Sequence, residues 1–317
     1  MERKSYRFEG VVTALSSISH IGDNFGANIR LRREKIVQTD GTVEDVPILS
    51  GNGVRGLLRD LGMRHMMAQM GNPPLSMPAF YFLFSGGTLT KQAGKGLDVD
   101  QGRSLQRLIP LVGVFGGAVG NQIMPGRLQV GKLVPVCLET AHLMPESMTT
   151  CRQVSSIYNY LQEEAYTRKD DEKDERLRYL LAEPERKLLD VKAETKKANK
   201  EAGNDIDTEA GQHQQMRYYV EVFSAGTTFH WWVELKDVTQ IEFESFISCF
   251  VEFSKSPVIG GKGNVGHGRV AVKFDNWFEI SPLLQSDTNQ LSTPLGTLYH
   301  AHLATERENI VAALGAL

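Results

Sequence analysis

Two glycine-rich segments that also carry basic residues lie near opposite ends of this 317-residue chain, and they constrain its fold and function most. The first spans residues 48–59, and the second spans residues 259–270. Glycine lets a backbone approach a ligand closely and present bare N–H groups, and neighbouring Arg and Lys side chains add positive charge. Together the two segments predict a site for a polyanion held by its backbone, which favours nucleic acid as the ligand.

The second segment also contains the spacing G-x-G-x-x-G, at residues 261–266, which is typical of dinucleotide-binding loops. Such a loop needs a strand before it and a helix after it. Here the order is reversed, because residues 239–255 carry apolar side chains at helical spacing and residues 269–274 alternate like a strand. A P-loop does not fit either, because glycine follows Lys262 where Ser or Thr is needed. Ordinary turn formation remains the alternative for this segment taken alone.

Positive charge is concentrated locally in this chain. The formal net charge is −3 at pH 7, so the chain lacks the overall basicity of many nucleic-acid-binding proteins. Residues 255–273, however, contain four basic residues and no acidic one. Such a patch binds phosphate whatever the total charge. The weak net charge therefore argues against indiscriminate binding but not against a local site.

Composition sets further limits on the class of protein. With 41% hydrophobic residues, the chain is able to bury a sizeable core as one large domain or a domain with insertions. Three cysteines without a CxxC pair do not indicate a disulfide framework. The N-terminus lacks an apolar signal core, and no run of about 18 apolar residues occurs. We expect a cytoplasmic protein with no membrane contact and no cofactor.

The pattern of apolar residues predicts an α+β fold. Without a long excursion in the middle of the chain, the order of elements is βαββαβ, a ferredoxin-like arrangement that RNA-recognition modules share. The two central strands are separated by Ala225-Gly226, which indicates a hairpin. The predicted elements are a strand at 6–16, a helix at 52–67, strands at 218–223 and 228–235, a helix at 239–255 and a strand at 269–274.

The excursion, residues 71–215, has two parts of different composition. Residues 86–136 are rich in glycine and carry more basic than acidic side chains. Residues 163–209 are dense in both signs of charge, which favours a solvated helical arm over a nucleic-acid contact. After the last predicted strand, residues 298–317 are expected to form an amphipathic helix.

Four groups of residues, in their order along the chain, resemble motifs of the RAMP superfamily of CRISPR-associated proteins, and specifically its Cas-seven-type backbone subunit. The resemblance covers about residues 6 to 275, and the compact length and the Gly51-Asn52-Gly53 variant are most similar to the type IV branch. The groups are His20-Ile21-Gly22-Asp23; Pro47-Ile48-x-Ser50 with Arg55-Gly56-x-x-Arg59; Phe115-Gly116 with Gly126-Arg127-Leu128-x-Val130; and Ala225-Gly226-Thr227-x-Phe229 with the loop at 260–268.

The resemblance implies an architecture and a set of partners. Residues 1–70 and 216–280 would form a discontinuous ferredoxin-like (RRM-like) palm, residues 71–148 a finger/web insertion, residues 149–215 a helical thumb insertion, and residues 281–317 a C-terminal tail with a helix. The implied function is to bind guide RNA (crRNA) and polymerise along it as a helical filament. Other CRISPR effector subunits and the target nucleic acid paired to the guide would be further partners.

The resemblance and the local chemistry together nominate an RNA-binding set. Side chains at the start of the first helix would hold a phosphate with the help of its N–H groups and dipole, and the second glycine segment would follow the RNA backbone from the opposite side. Met216 is a candidate wedge between bases, although packing is the ordinary role of such a methionine. The nominated residues are His20, Ser50, Asn52, Arg55, Arg59, Arg127, Arg152, Gln215, Met216, Arg217, Lys262, Asn264 and His267.

Two enzymatic alternatives stay open at this point, although we expect no catalytic residue and no bound metal. In type III relatives, an acidic residue in the loop after the first strand supports metal-dependent cleavage of target RNA, and Asp23 lies in the matching loop. The other alternative is a guide-processing ribonuclease with His20 as general base. A cap on a turn and a structural histidine are the ordinary explanations for these two residues.

Overall fold

The computed structural model describes residues 2–87, 99–120, 122–149, 154–168, 216–280, 285–286 and 296–317. The strands, in chain order, are β1 (Lys4–Ala14), β2 (Ile21–Phe25), β3 (Asn28–Leu31), β4 (Arg33–Val37), β5 (Val43–Pro47), β6 (Gly117–Val119), β7 (Gln122–Met124), β8 (Leu128–Val130), β9 (Val134–Pro135), β10 (Leu161–Arg168), β11 (Met216–Phe223), β12 (Thr228–Val238), β13 (Val270–Ile280) and β14 (Gln285–Ser286). The helices are α1 (Gly51–Gln69), α2 (Met77–Ser85), α3 (Val99–Leu108), α4 (Pro110–Phe115), α5 (Glu146–Thr149), α6 (Gln240–Lys255) and α7 (Thr297–Gly315). This mixture confirms the α+β class.

The main sheet has six strands in the order β14–β13–β1–β12–β8, and β9 also pairs with β12. Every neighbouring pair in it is antiparallel. From Tyr6 onward, β1 alternates strictly between buried and half-buried residues, as a strand with one covered face does. The strands predicted at 6–16 and 269–274 are therefore confirmed as β1 and β13, with shifted ends.

Helices α1 and α6 were both expected from helical spacing, and both are confirmed. The start of α6 is fixed by a capping box, in which Thr239 Oγ1 accepts from the Glu242 N–H at 3.3 Å and the Glu242 carboxylate accepts from the Thr239 N–H at 2.8 Å. The apolar face of α6 packs on β1 through aromatic rings, since the Phe8 ring lies 6.0 Å from that of Phe246 and 6.4 Å from that of Phe250. Phe8 and Phe246 belong to the buried core, and half-buried Phe250 packs against it.

The expected hairpin between the two central strands is wrong. Both strands exist, as β11 and β12, but β11 belongs to a second sheet with the order β10–β11–β3–β2. At the end of β11, Phe223 exchanges two backbone hydrogen bonds with Ile18, at 2.9 and 3.0 Å, and this pairing carries β11 away from β12. The edge of β12 that a hairpin would use is occupied by β8 and β9, which come from the excursion.

The second half of the excursion departs from its expected helical form where the structure describes it. Residues 161–168 form strand β10, antiparallel to β11 over eight residue pairs. The strand pairing satisfies backbone groups that a helix would satisfy internally, and it ties the beginning of the charged segment to the second sheet. The rest of the predicted arm, residues 169–209, lies outside the described residues.

The C-terminal helix expected at 298–317 is confirmed as α7, and it packs on its own chain. The buried Glu244 carboxylate accepts hydrogen bonds from the N–H groups of Leu298 and Tyr299, at 2.9 and 3.0 Å. Near the other end of α7, the Arg307 Nε donates to the Met70 carbonyl at 2.8 Å. A carboxylate at a helix N-terminus is favoured by the exposed N–H groups and by the helix dipole.

Among the helices that the structure describes, none is long and apolar enough to cross a membrane.

Candidate nucleic-acid interface

The first glycine segment forms the start of α1. Ser50 is the N-cap residue, its side chain makes no capping hydrogen bond, and the first turn holds no acidic residue. Asn52 and Gly53 in that turn are exposed. The first N–H groups of a helix have no partner within the helix, and the dipole adds positive potential there. The start of α1 is therefore suited to an anion, as the sequence predicts for Ser50 and Asn52.

His20 is fixed against the start of α1. Its Nε2 accepts a hydrogen bond from the Ser50 N–H at 3.1 Å. Burial, and secondly the positive charge of Arg32, hold the pKa of His20 below the ordinary value. The ring is therefore neutral near pH 7 and carries its proton on Nδ1. His20 positions the backbone at Ser50, and in this tautomer its Nδ1–H is the atom left to donate.

The second glycine segment is attached to the residues immediately before His20. The Gly261 N–H donates to the Ser19 carbonyl at 2.8 Å, and the Ser19 hydroxyl donates to the Gly261 carbonyl at 3.0 Å. At the end of the loop, the Gly268 N–H donates to the Ser17 carbonyl at 2.8 Å. Gly268 has a φ of +83°, and a Cβ there would collide with the Ile259 carbonyl, so only glycine fits.

These contacts join the two glycine segments. The hydrogen-bonded path runs from Gly261 through Ser19 and His20 to Ser50, and each step is a direct contact or a peptide bond. Residues that are about 210 positions apart in sequence therefore lie on one side of the molecule. The structure brings together the start of α1, His20 and the loop at 260–268, as a nucleic-acid site built from both segments requires.

Lys262 and Asn264 are the two polar side chains of the loop that solvent reaches, and Val265 beside them is exposed as well. Asn264 is exposed, and Lys262 is half-buried with a φ of +60°, an uncommon conformation for a residue with a side chain. The Lys262 ammonium lies 4.0 Å from the ring centroid of Tyr166 and 4.7 Å from that of Tyr218. Within the described residues it has no carboxylate partner, so its charge is available to a phosphate.

His267 points inward and is 5% exposed, so it does not reach a ligand on the surface. Its Nε2 lies 3.2 Å from the Glu164 Oε2 and also contacts the Tyr166 hydroxyl. These groups lie on β10, at the beginning of the segment whose central part is undescribed. His267 thus connects the glycine loop to the second sheet, which is a positioning role.

The two arginines of α1 differ in their surroundings. Arg59 is 7% exposed, and its Nη2 donates to the carbonyls of Phe115 and Gly116 at 2.7 and 2.8 Å. Burial, and secondly the nearby charge of Arg55, lower the pKa of Arg59 to about 10. Arg55 is half-buried and donates to the same Phe115 carbonyl. Arg59 therefore holds the carbonyl end of α4 against α1, while Arg55 sits nearer the surface at the edge of the site.

Arg127 and Arg217 also lie in different environments. Arg127 donates to the Asp237 carbonyl and lies 3.4 Å from the Glu242 carboxylate, so it is committed to the turn before α6. Arg217 is exposed on β11, next to Tyr218. Of these two nominated residues, Arg217 is the one with a side chain open to a ligand.

Four predicted residues have no described side chain. Arg152 and Gln215 lie outside the described residues. Met216 begins β11 and Asp23 lies within β2, and for both of them the structure describes the backbone alone. The wedge predicted for Met216 therefore stays a prediction, and metal-dependent cleavage with Asp23 stays an open alternative.

Sequence analysis missed three participants that the structure places at this surface. Tyr166 and Tyr218 are directly paired across β10 and β11, and Arg32 lies close enough to His20 to affect its titration. The two tyrosines are 52 positions apart and on either side of the charged arm, so no local pattern links them. Knowing the β10–β11 pairing in advance would have brought them together.

No family model matches the chain, and no curated protein matches it. Among solved structures, a chain of the "Type IV-B CRISPR Complex" has a similar fold, with a TM-score of 0.56. The two chains are 22% identical, and the match covers 91% of this chain and 95% of that one. At this identity the likeness establishes a shared fold over nearly the whole length of both chains.

Proposed function

We propose that this protein is a guide-RNA-binding backbone subunit of a cytoplasmic CRISPR effector complex, and that it acts as a scaffold rather than as a nuclease. The observation that carries the proposal is the contact path from Gly261 to Ser50, which unites both glycine segments on one surface. The fold shared with a chain of a type IV-B CRISPR complex supports the same conclusion.

The strand order supports a ferredoxin-like palm for this subunit. Strands β13, β1, β12 and β8 lie side by side, and α1 and α6 come after β1 and β12 in the chain. This is the order of a βαββαβ unit whose second strand is β8 rather than β11. The palm then takes one strand from the 71–148 insertion, and β11 becomes part of the base of the thumb.

The chemistry of the site fits recognition of an RNA backbone. The positive end of the α1 dipole, beside exposed Asn52, and the ammonium of Lys262 suit phosphate, and neither selects a base. The sequence of a target would then be read by pairing with the guide, as in other guided systems. Repeated copies bound side by side along one guide would form a helical filament with the other effector subunits.

A charge placed at the start of α1 tests the proposal. Asn52→Asp adds a negative charge among the helix N–H groups, where it favours the helix but repels phosphate. We expect about a tenfold loss of affinity for a fluorescently labelled guide-length RNA, and a salt dependence reduced by about one unit of slope. Binding is measured by anisotropy between 50 mM and 300 mM salt, conditions over which a few phosphate contacts change affinity by orders of magnitude.

Gln69→Glu is the matched control, because it makes the same charge change at an exposed position about 26 Å away along the same helix. We expect it to bind RNA like the unmodified protein. Equal affinities for the two variants would remove the start of α1 from the site. An unmodified protein that stays monomeric and ignores guide-length RNA at low salt would refute the proposed function.

A further inference from the structure

Two tyrosine rings stack on each other on one face of the β10–β11 pair. Tyr166 and Tyr218 are direct cross-strand partners, so their side chains share a face. Their ring centroids are 5.4 Å apart and the ring planes differ by 17°. Both residues are half-buried, and the two stacked rings together form a stepped aromatic surface, which we call the tyrosine platform.

The Tyr166 half of the tyrosine platform is held rigidly. Its hydroxyl donates to the Glu164 Oε2 at 2.8 Å, and burial together with that carboxylate raises the pKa of Tyr166 to about 12. The hydroxyl therefore keeps its proton at neutral pH. Because that hydrogen is used by Glu164, the Nε2 of buried His267 is left to donate to the tyrosine oxygen. A ring fixed by two partners keeps its face in one orientation for a ligand.

The face of the tyrosine platform is covered by Lys262. The ammonium lies above both rings, and the Nζ is 3.4 Å from the Tyr218 hydroxyl. Lys262 is held there in a left-handed backbone conformation, which a lysine rarely adopts. A cation over an aromatic ring at a partly exposed site is weakly bound, whereas a charge-assisted hydrogen bond to phosphate is among the stronger contacts. An RNA phosphate at this loop would therefore draw the ammonium off the rings.

We propose that Lys262 is a removable cover, and that a nucleobase of the bound RNA stacks on the tyrosine platform when the lysine moves to a phosphate. The inference rests on the proposed function and adds a base-stacking position to it. The neighbouring residue, Gly261, is bonded to Ser19 beside His20, so this position adjoins the backbone site. Every base has a π-face, so stacking here would tolerate any guide sequence.

The experiment follows an eight-nucleotide RNA that carries one 2-aminopurine, moved through the sequence, bound to the full-length protein. We expect the fluorescence to be quenched at one or more positions. Tyr218→Leu should abolish that quenching and weaken binding about tenfold with an unchanged salt slope, because it removes a stack and no charge. Tyr218→Phe should keep both the quenching and the RNA affinity of the unmodified protein, since it keeps the ring.

Lys262→Ala tests the contribution of the lysine separately from that of the two tyrosine rings. It should lower the salt slope by about one unit and leave the quenching in place, because the charge is lost while the rings remain. If Tyr218→Leu melts at a clearly lower temperature, an abasic nucleotide at the quenched position gives the same information with unmodified protein. We expect that RNA to bind about tenfold more weakly than the intact one.

Failure of this inference is distinguishable from failure of the proposed function. RNA that binds with normal salt dependence but shows no quenching, or is unaffected by Tyr218→Leu and by the abasic nucleotide, would overturn the stacking position alone. A platform that serves a cationic side chain of a partner protein would give that result. Absence of any RNA binding by the unmodified protein would refute both.

Discussion

The Nε2 atoms of His65 and His300 lie 3.0 Å apart, and this contact links α1 to α7. On its other side, the His65 Nδ1 lies 2.9 Å from the Glu252 carboxylate on α6. Hydrogen bonds, chiefly from Lys255, hold the pKa of Glu252 below its ordinary value, so the carboxylate only accepts. His65 must then donate from Nδ1 and accept at Nε2, and His300 supplies the hydrogen between the rings. One chain of hydrogen bonds, running from His300 through His65 to Glu252, therefore joins α7, α1 and α6.

The first prediction is that acid loosens α7. Burial holds the pKa of His65 below the ordinary value despite the neighbouring Glu252, and the charges of His300 and Lys255 act in the same direction as burial. The unfolded chain therefore binds this proton first, and the free energy of unfolding falls as pH drops below about 6.5. A protonated His65 would also carry a hydrogen on Nε2. That hydrogen would face the one that His300 donates, and the hydrogen bond between the two rings would be lost. Hydrogen-exchange protection of α7 should decrease between pH 7.5 and pH 5.

His300→Gln is the control for this first prediction, because a glutamine amide is able to turn its oxygen toward a protonated His65. We expect the variant to keep more of its α7 protection at pH 5 than the unmodified protein does. The lowered pKa of His20 contributes the same sign of pH dependence to both proteins, so the difference between them isolates the His65–His300 contact. Identical pH profiles would contradict the prediction.

Local patterns were sufficient to predict strands β1, β12 and β13 of the main sheet and the helices α1 and α6. The alternation in β1, the Thr239–Glu242 capping box and the helical spacing of α1 are all encoded within a few residues of one another. The choice of which strand pairs with which is not encoded in neighbouring residues. The turn at Ala225-Gly226 looks like a hairpin, yet β12 takes β8 as its neighbour, and β8 is three residues long with no strong strand pattern.

The same limit applies to the site. Arg55 and Arg59 lie one helical turn apart in the same segment, and both were nominated for RNA binding, with an ion pair to Asp60 or Glu34 as the alternative for Arg59. Their difference depends on the carbonyl end of α4, which only the folded chain brings within reach of Arg59. His267 was nominated from a glycine-rich loop that is exposed in part, but its own side chain turns toward β10. Burial of one residue in a polar segment is a tertiary property.

The second prediction concerns Arg59. Arg59→Ala would leave the Phe115 and Gly116 carbonyls without this donor in a buried position, and we expect a loss of about 2–3 kcal/mol in the free energy of unfolding. Arg64→Ala, on the same helix, removes an exposed pair with Asp60 and should change stability by less than about 0.5 kcal/mol. Urea denaturation measures both. Similar losses for the two variants would argue against a structural role specific to Arg59.

The third prediction compares two glycines of α1. A Cβ on Gly51 would lie 2.6 Å from the Gly131 carbonyl oxygen and closer still to that of Val130, so Gly51→Ala must shift the start of the helix. We expect a loss of about 1–3 kcal/mol and weaker RNA binding. A Cβ on Gly56 meets nothing within 4 Å, and Gly56→Ala should stabilise the helix by about 0.5–1 kcal/mol. Thermal melting and RNA anisotropy of the pair provide the measurement, and equal effects would contradict the close approach.

The last prediction is that Asp23 does not cut target RNA. Two-metal cleavage needs clustered carboxylates, and single-metal cleavage still needs an aligned attacking group, whereas Asp23 is followed by Asn24 and Phe25. Asp23 lies in β2, not in a loop, where the pairing with β3 is irregular between Ile21 and Asn24. A hydrogen bond to a nearby backbone N–H explains an aspartate there more simply, and Asp40 makes such a bond by accepting from the Thr42 N–H at 2.9 Å. We expect Asp23→Ala to cost at most about 1–2 kcal/mol of stability, the range of a lost cap.

Assembled complexes containing unmodified protein, Asp23→Ala or the control Asp40→Ala should all bind labelled complementary RNA or DNA in Mg²⁺ and leave it intact. Regularly spaced, Mg²⁺-dependent cuts that disappear with Asp23→Ala but persist with Asp40→Ala would replace the scaffold with a metal-dependent endonuclease.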